Sequence, residues 1–227
     1  MDYCNFNHWN RLCRGFDCVP KKKELLRTDV ETIIQTRRTI KPTEFRQNAR
    51  VADEIIEKML ESAKWAPTHG KTEPWHFVVF SSEKSIHQLA QLDADIYEKL
   101  TKASKKYKVH KHKKRIETKM NSSHVIAICM KRQKAQEIPE HEEIIAVGMA
   151  VQNMHLVATK YNVGCFWSSG LTDQATISVG HAKEMKDFLQ LEENDRCLGF
   201  FCIGISEQPW PKGVRKDIGE KVRWVEE

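Results

Sequence analysis

The sequence predicts an α+β protein built in three layers, and three observations carry the prediction. Four short β-rich apolar runs, at residues 76–80, 124–130, 164–167 and 198–205, are separated by stretches with helical spacing. At 227 residues, 40% of them hydrophobic, the chain has material for one sizeable core and nothing that demands a second. It contains neither GxGxxG nor GxxxxGK(S/T), so Rossmann and P-loop forms are not indicated, and a nucleotide-like cofactor has to be held by scattered basic residues.

The first helix is expected over residues 28–36, where Thr28-Asp29-Val30-Glu31 has the capping-box pattern and Val30, Ile33 and Ile34 share a face. It runs into Arg37-Arg38-Thr39-Ile40-Lys41-Pro42, and Pro42 ends helical continuation, leaving a basic cluster at the helix exit. A second helix starts near Asp53, carries Ile55, Ile56, Met59, Leu60 and Ala63 as a stripe, and must stop before Pro67. Helical spacing resumes over 83–100 through Ile86, Leu89, Ile96 and Leu100. Residues 102–119 hold nine Lys or Arg and one Glu, a net +8 that exceeds the +6 of the whole chain. Such a run is expected to be a solvated helix face or loop that attracts anions. A long helix follows from near Pro139 to about Tyr161. Ile144, Ile145, Met149, Val151, Met154, Val157 and Ala158 make it apolar on so much of its surface that it predicts a subunit interface. The run at 164–167 closes in the small-residue turn Ser168-Ser169-Gly170, an amphipathic helix covers about 181–189, and the tail 209–227 is rich in Pro, Lys, Arg and Trp.

Composition narrows the class further. Mean hydropathy is -0.58, and no stretch approaches the roughly 18 apolar residues a bilayer crossing needs. Asp2, Arg11, Arg14 and Asp17 interrupt any apolar leader, so a cytoplasmic protein is expected. Of seven cysteines, Cys129, Cys165, Cys197 and Cys202 lie in or beside apolar runs, where a thiol acts as a small hydrophobe in a reducing setting. Cys4, Cys13 and Cys18 flank His8, but no CxxC pair is present and no metal site is expected. Residues 1–25 read as a loosely ordered extension, and 26–227 as the folded domain.

The motifs that carry chemistry are Arg37-Arg38-Thr39 with Lys41, Trp65-Ala66-Pro67-Thr68-His69-Gly70, Glu73-Pro74-Trp75-His76-Phe77 and Trp167-Ser168-Ser169-Gly170. In this order and at this spacing they resemble the nitroreductase family of FMN-dependent oxidoreductases, over residues 28 to about 216, in a form similar to its compact bacterial branch. The resemblance implies an α/β/α sandwich with a mainly antiparallel sheet, a domain-swapped type of homodimer, bound FMN, and NADH or NADPH as co-substrate. It implies that Arg37 and Thr39 contact the phosphate or ribityl chain and that Arg38 or Lys41 lies near the pyrimidine side of the ring. Trp65 and His69 would reach the flavin of the other subunit, Trp167 and Ser168 would flank the ring, and the Ser169-Gly170 amide would point at N5. Lys212 and Arg215 match the late basic residues that close on the phosphate. The resemblance also implies that residues 102–119 form a mobile cover over the active site. Lys71 departs from branches that carry a ring-binding Asn there. The residue types suit the task, because FMN presents a dianionic phosphate at one end and gathers negative charge at the pyrimidine end on reduction, and an arginine fork donates several fixed hydrogen bonds.

No protein nucleophile is required, since the cofactor carries the hydride and the acceptor is a small electron-poor molecule such as a nitroaromatic or quinone, reduced in a ping-pong cycle. The rival class is a nucleic-acid or anionic-surface binder using residues 102–119. Tyr107 is the only aromatic there, which argues against base stacking, so neither nucleic acid nor membrane is expected as a partner. Within flavoproteins, a dehalogenase, an azoline dehydrogenase and a flavin-storage protein remain open.

Overall fold

The computed structural model describes residues 29–102, 105–135, 137–170 and 178–226. Residues 1–28, including the Cys4/His8/Cys13/Cys18 group and Thr28, lie outside them. Among the described residues six helices and four strands alternate: α1 (Val30–Thr36), α2 (Asp53–Ala63), β1 (Trp75–Phe80), α3 (Glu83–Lys102), α4 (Val109–Met120), β2 (His124–Met130), α5 (Glu140–Lys160), β3 (Val163–Ser168), α6 (Lys183–Phe188) and β4 (Arg196–Ile205). The strands form one antiparallel sheet in the order β1-β2-β4-β3.

Alternation along the strands explains the three layers. On β2, Val125, Ala127 and Cys129 join the core under α3 and α6, whereas Ile126, Ile128 and Met130 join the core under α2 and α5. All seven residues of β2 are buried, as a strand covered on both faces requires. On β4 the parity changes midway: Cys197 and Leu198 face one way and the other, and Phe200 rather than Gly199 returns to the side of Cys197. A bulge opposite Ile128/Cys129, with Gly199 at φ 133, supplies the extra residue. The four cysteines in these runs are buried free thiols.

Several elements differ from the sequence expectation. Asp29, not Thr28, caps α1, accepting from the Glu31 and Thr32 amides. The helix expected over 181–189 is a 3-10 turn (Val179–His181) followed by the short α6. Most of the basic run is the ordered helix α4, which packs against α3 and against the turn at Pro42–Glu44 instead of forming a loose cover.

A Ser–His–Asp chain that the sequence hid also emerges. The Val51 amide donates to Ser123 Oγ at 2.8 Å, Ser123 Oγ meets His124 Nδ1 at 2.8 Å, and His124 Nε2 meets Asp53 Oδ1 at 2.9 Å. His124 is 1% exposed, and burial holds its pKa below the ordinary value, with the Arg50 charge adding to the effect. The chain clips the start of α2 to the start of β2, and its hydroxyl is already engaged by a backbone donor. No described helix is long and apolar enough to cross a membrane.

Candidate functional site

After α1 ends at Thr36 the backbone becomes extended, with Arg37 at φ -57, ψ 127 and Lys41 at φ -75, ψ 149. The segment lies along the edge of the sheet: Thr39 bridges Cys165 of β3 in parallel sense, and the Ile40 amide donates to the Cys165 carbonyl at 3.0 Å. Extended backbone alternates its side chains, so Arg37, Thr39 and Lys41 share one face, and Arg38 and Ile40 the other. Ile40 is buried in the core. Arg38 is held by backbone carbonyls, its Nε on Pro211 at 2.8 Å and its Nη1 on Gln35 at 2.8 Å and Arg37 at 2.6 Å. A Cβ on Gly213 would lie 2.3 Å from the Arg38 guanidinium, so the tail folds directly over it. Arg38 thereby docks the tail, and Arg37 and Lys41 are left on the free face, about 13 Å apart at strand rise.

The docked tail brings Arg215 to Arg37. Burial, then the charges of Arg215 and Arg38, hold the Arg37 pKa below its ordinary value. No carboxylate among the described residues pairs with any of these three guanidinium groups. Arg37 and Arg38 are partly buried and Arg215 is exposed, and like charges gathered this closely are unfavourable unless an anion shares them. Lys212 is exposed on the same tail.

His155 of α5 braces the cluster from behind, its Nε2 meeting the Arg38 carbonyl at 3.0 Å. Burial, and next the Arg37 charge, push its pKa down to about 4 from 6.5. Below pH 6.5 the unfolded chain takes up a proton that the folded one refuses, so stability is full above that value and is lost as pH falls toward 4, by an amount on the order of 3 kcal/mol. His155→Gln is expected to flatten this part of the stability–pH profile in denaturant titrations between pH 7 and 4; an unchanged slope would contradict the assignment.

The other end of the extended segment approaches the bend Ser168-Ser169-Gly170. Gly170 has φ 67 and is buried, its carbonyl accepts from the Val179 amide at 3.1 Å, and its own amide donates to nothing among the described residues. A buried amide with no partner among the described residues is a donor that a water or a ligand atom can satisfy. The bend fits because Gly199 lies beneath it: a Cβ there would stand 2.3 Å from the Ser168 carbonyl oxygen. Trp167 flanks the bend, 37% exposed, with Nε1 donating to the Leu198 carbonyl at 3.3 Å.

Sequence reasoning missed a buried charge group beside this bend. Asp93 of α3, fully buried, accepts from Arg115 at 3.0 and 3.2 Å and from Lys119 at 2.7 Å, both on α4. Arg115 also reaches the Gly170 carbonyl at 3.5 Å and stacks over Tyr97, and Lys119 lies over Phe200. The signal was present in α3, where Asp93 interrupts a stripe of Leu89, Ala90, Ala94 and Tyr97, since a carboxylate on a buried face requires cations.

His69 is not brought to the Arg37 cluster of its own chain. Trp65 is 75% exposed, and His69 Nδ1 meets Glu142 at 2.7 Å in the first turn of α5. His155, which braces Arg38, lies on the same helix about 20 Å further along at helical rise.

An α+β sandwich whose sheet edge carries, among the described residues, an arginine cluster without carboxylates and an amide without a partner offers donors to which an elongated anionic ligand could bind. A profile of the Nitroreductase family matches residues 34–205, and the chain belongs to that family of NAD(P)H-dependent oxidoreductases. YfhC of Bacillus subtilis, provisionally named an NAD(P)H nitroreductase, is 26% identical over 179 residues, 78% of this chain and 84% of the relative. Among solved structures, a nitroreductase-like family protein from Bacillus cereus has a TM-score of 0.66 at 20% identity, covering 88% of this chain and 97% of that one. A provisionally named nitroreductase from Desulfovibrio desulfuricans, solved in complex with FMN, has a TM-score of 0.59 at 20% identity, covering 86% and 95%.

Proposed function

We propose that this chain binds FMN and uses NADH or NADPH to reduce small electron-poor molecules, nitroaromatics and quinones among them, as a homodimer with two shared sites. The observation that carries the reading is the free face of the extended segment: among the described residues Arg37 stands in an arginine cluster without carboxylates at one end, and the parallel register with β3 sets Lys41 beside the strand end that leads to Gly170, whose amide has no described partner, at the other. The roughly 13 Å between them suits a ligand with a phosphate at one end and a planar ring at the other. Arg37, Thr39, Arg215 and Lys212 are the residues for the phosphate and ribityl chain. Lys41, Trp167, Ser168, Ser169 and Gly170 are those for the ring.

FMN, when bound, would supply the hydride chemistry between NAD(P)H and the acceptor, which a ping-pong cycle fits. This chain's residues bind and orient. The Gly170 amide would offer the bound ring a fixed hydrogen-bond donor, and Lys41 would set positive charge beside it, where reduction adds negative charge. Arg38 acts through the tail, which it holds in place beside Arg37.

What one chain leaves uncovered supports the dimer. Ile144 and Ile145 of α5, Val30 and Ile34 of α1, and Trp224 of the tail are exposed, as is Trp65, and His69 is bonded to Glu142 about 20 Å along α5 from His155. A second copy closes these faces and carries its Trp65 and His69 to the first chain's ring. The four buried thiols suit a cytoplasmic setting.

Purified protein is expected to be yellow and to bleach anaerobically on addition of NADH or NADPH, regaining colour with a quinone. Protein that takes up no FMN sinks the reading. Protein that binds FMN but does not bleach is a flavin carrier rather than a reductase.

A further inference from the structure

We propose that Ser178 is a positioning residue for the flavin ring: its hydroxyl fixes the peptide between Ser169 and Gly170 so that the Gly170 amide faces the ring, and it strengthens that amide as a donor. The inference deepens the reductase reading and rests on its placing of the ring at Gly170.

Ser178 stands just before the 3-10 turn Val179–His181 and is 5% exposed. Its hydroxyl donates to the Ser169 carbonyl at 2.9 Å and accepts from the Gly180 amide at 3.2 Å. The Ser169 carbonyl and the Gly170 amide belong to one peptide, and in a planar trans peptide these two groups point in opposite directions. A donor on the carbonyl therefore decides where the amide points. The next carbonyl is held as well, since that of Gly170 accepts from the Val179 amide at 3.1 Å and lies 3.5 Å from Arg115. Two neighbouring residues, Ser178 and Val179, thus pin two successive carbonyls of the bend. The amide between them, with no partner among the described residues, stays available.

The bond from Ser178 does more than set a direction. The Gly180 amide, the Ser178 hydroxyl and the Ser169–Gly170 peptide form a chain in which each group accepts from the one before and donates to the next. Hydrogen bonds linked in this way polarise one another, by about 10–30% per bond. The chain starts from a fixed point: a Cβ on Gly180 would lie 2.3 Å from the Cys197 carbonyl oxygen, so the turn rests directly on β4. At its far end, a donor aimed at the ring nitrogen that takes up hydride meets a lone pair in oxidised FMN and an N–H after reduction. The Ser178 chain therefore favours the oxidised form.

The experiment uses the FMN-loaded full chain with Ser178→Ala and Ser178→Thr. In Ser178→Ala, oxidised FMN is expected to bind about fivefold more weakly, as the loss of one ordinary hydrogen bond implies. Reduced FMN should be little affected, so the midpoint potential should rise by about 20 mV. The Gly170 amide proton should move upfield in the NMR spectrum. Ser178→Thr keeps the hydroxyl and should match wild type in all three readouts. Support of the turn alone would weaken both redox forms equally and leave the potential in place, and that result would overturn the proposal. So would an unmoved Gly170 signal in Ser178→Ala, or a threonine variant as impaired as the alanine one. If wild-type protein takes up no FMN, or FMN leaves the Gly170 signal unmoved, the reading of the bend as the ring's donor fails by itself. The Gly170 signals of flavin-free wild type and Ser178→Ala then still decide whether the hydroxyl governs that amide.

Discussion

Replacing Arg37 and Arg215 together by alanine is expected to yield a folded, colourless protein. Each guanidinium that meets a phosphate contributes about 1.5 to 3 kcal/mol, so loss of both amounts to a fall in FMN affinity of roughly a thousandfold. The same substitutions relieve repulsion in the flavin-free chain, because the Arg37 pKa is held down by burial and by the neighbouring arginines. Flavin-free double variant should therefore melt no lower than flavin-free wild type. The two readouts separate binding from folding: FMN titration changes steeply, thermal stability does not. Retention of FMN at wild-type affinity would remove the cluster from the site.

The second large effect is expected at Asp93. Asp93→Leu leaves Arg115 and Lys119 facing each other in the interior with no carboxylate, a loss of about 3–5 kcal/mol. For a chain of this size the melting temperature should drop by about 10 °C. Replacing all three, as Asp93→Leu/Arg115→Leu/Lys119→Met, removes the unpaired charge and should restore most of that stability. The triple variant would still lack the positive charge beside Gly170, and its bound flavin should become harder to reduce, read as a lower midpoint potential. If the single and triple variants were equally unstable, packing rather than charge would be the function of the group.

The two predictions divide along what the sequence could disclose. The arginine cluster was partly legible, because Arg37-Arg38-Thr39 followed by Lys41 names the residues, and extended backbone then decides which of them share a face. What the motif could not disclose is that Arg38 turns away to the carbonyl of Pro211, 173 residues later in the chain. The Asp93 group was illegible for the same reason of distance, compounded by composition: Arg115 and Lys119 sit in a lysine-rich run whose charge suggested solvent, although helical spacing puts them on the buried side of α4. β2 was legible as an uninterrupted apolar run, and α2 and α5 from apolar residues recurring at helical spacing. Such patterns failed at Gly199, where a bulge changes which face β4 presents, and local pattern contains no trace of the strand opposite.

The most direct test of the account is a structure determined with FMN bound. It should show the phosphate on Arg37 and Arg215 and the ring against the Gly170 amide of the same chain, with Trp65 and His69 of a second copy approaching that ring. A flavin seated elsewhere, with the arginine cluster and the Gly170 amide both unengaged, would contradict it.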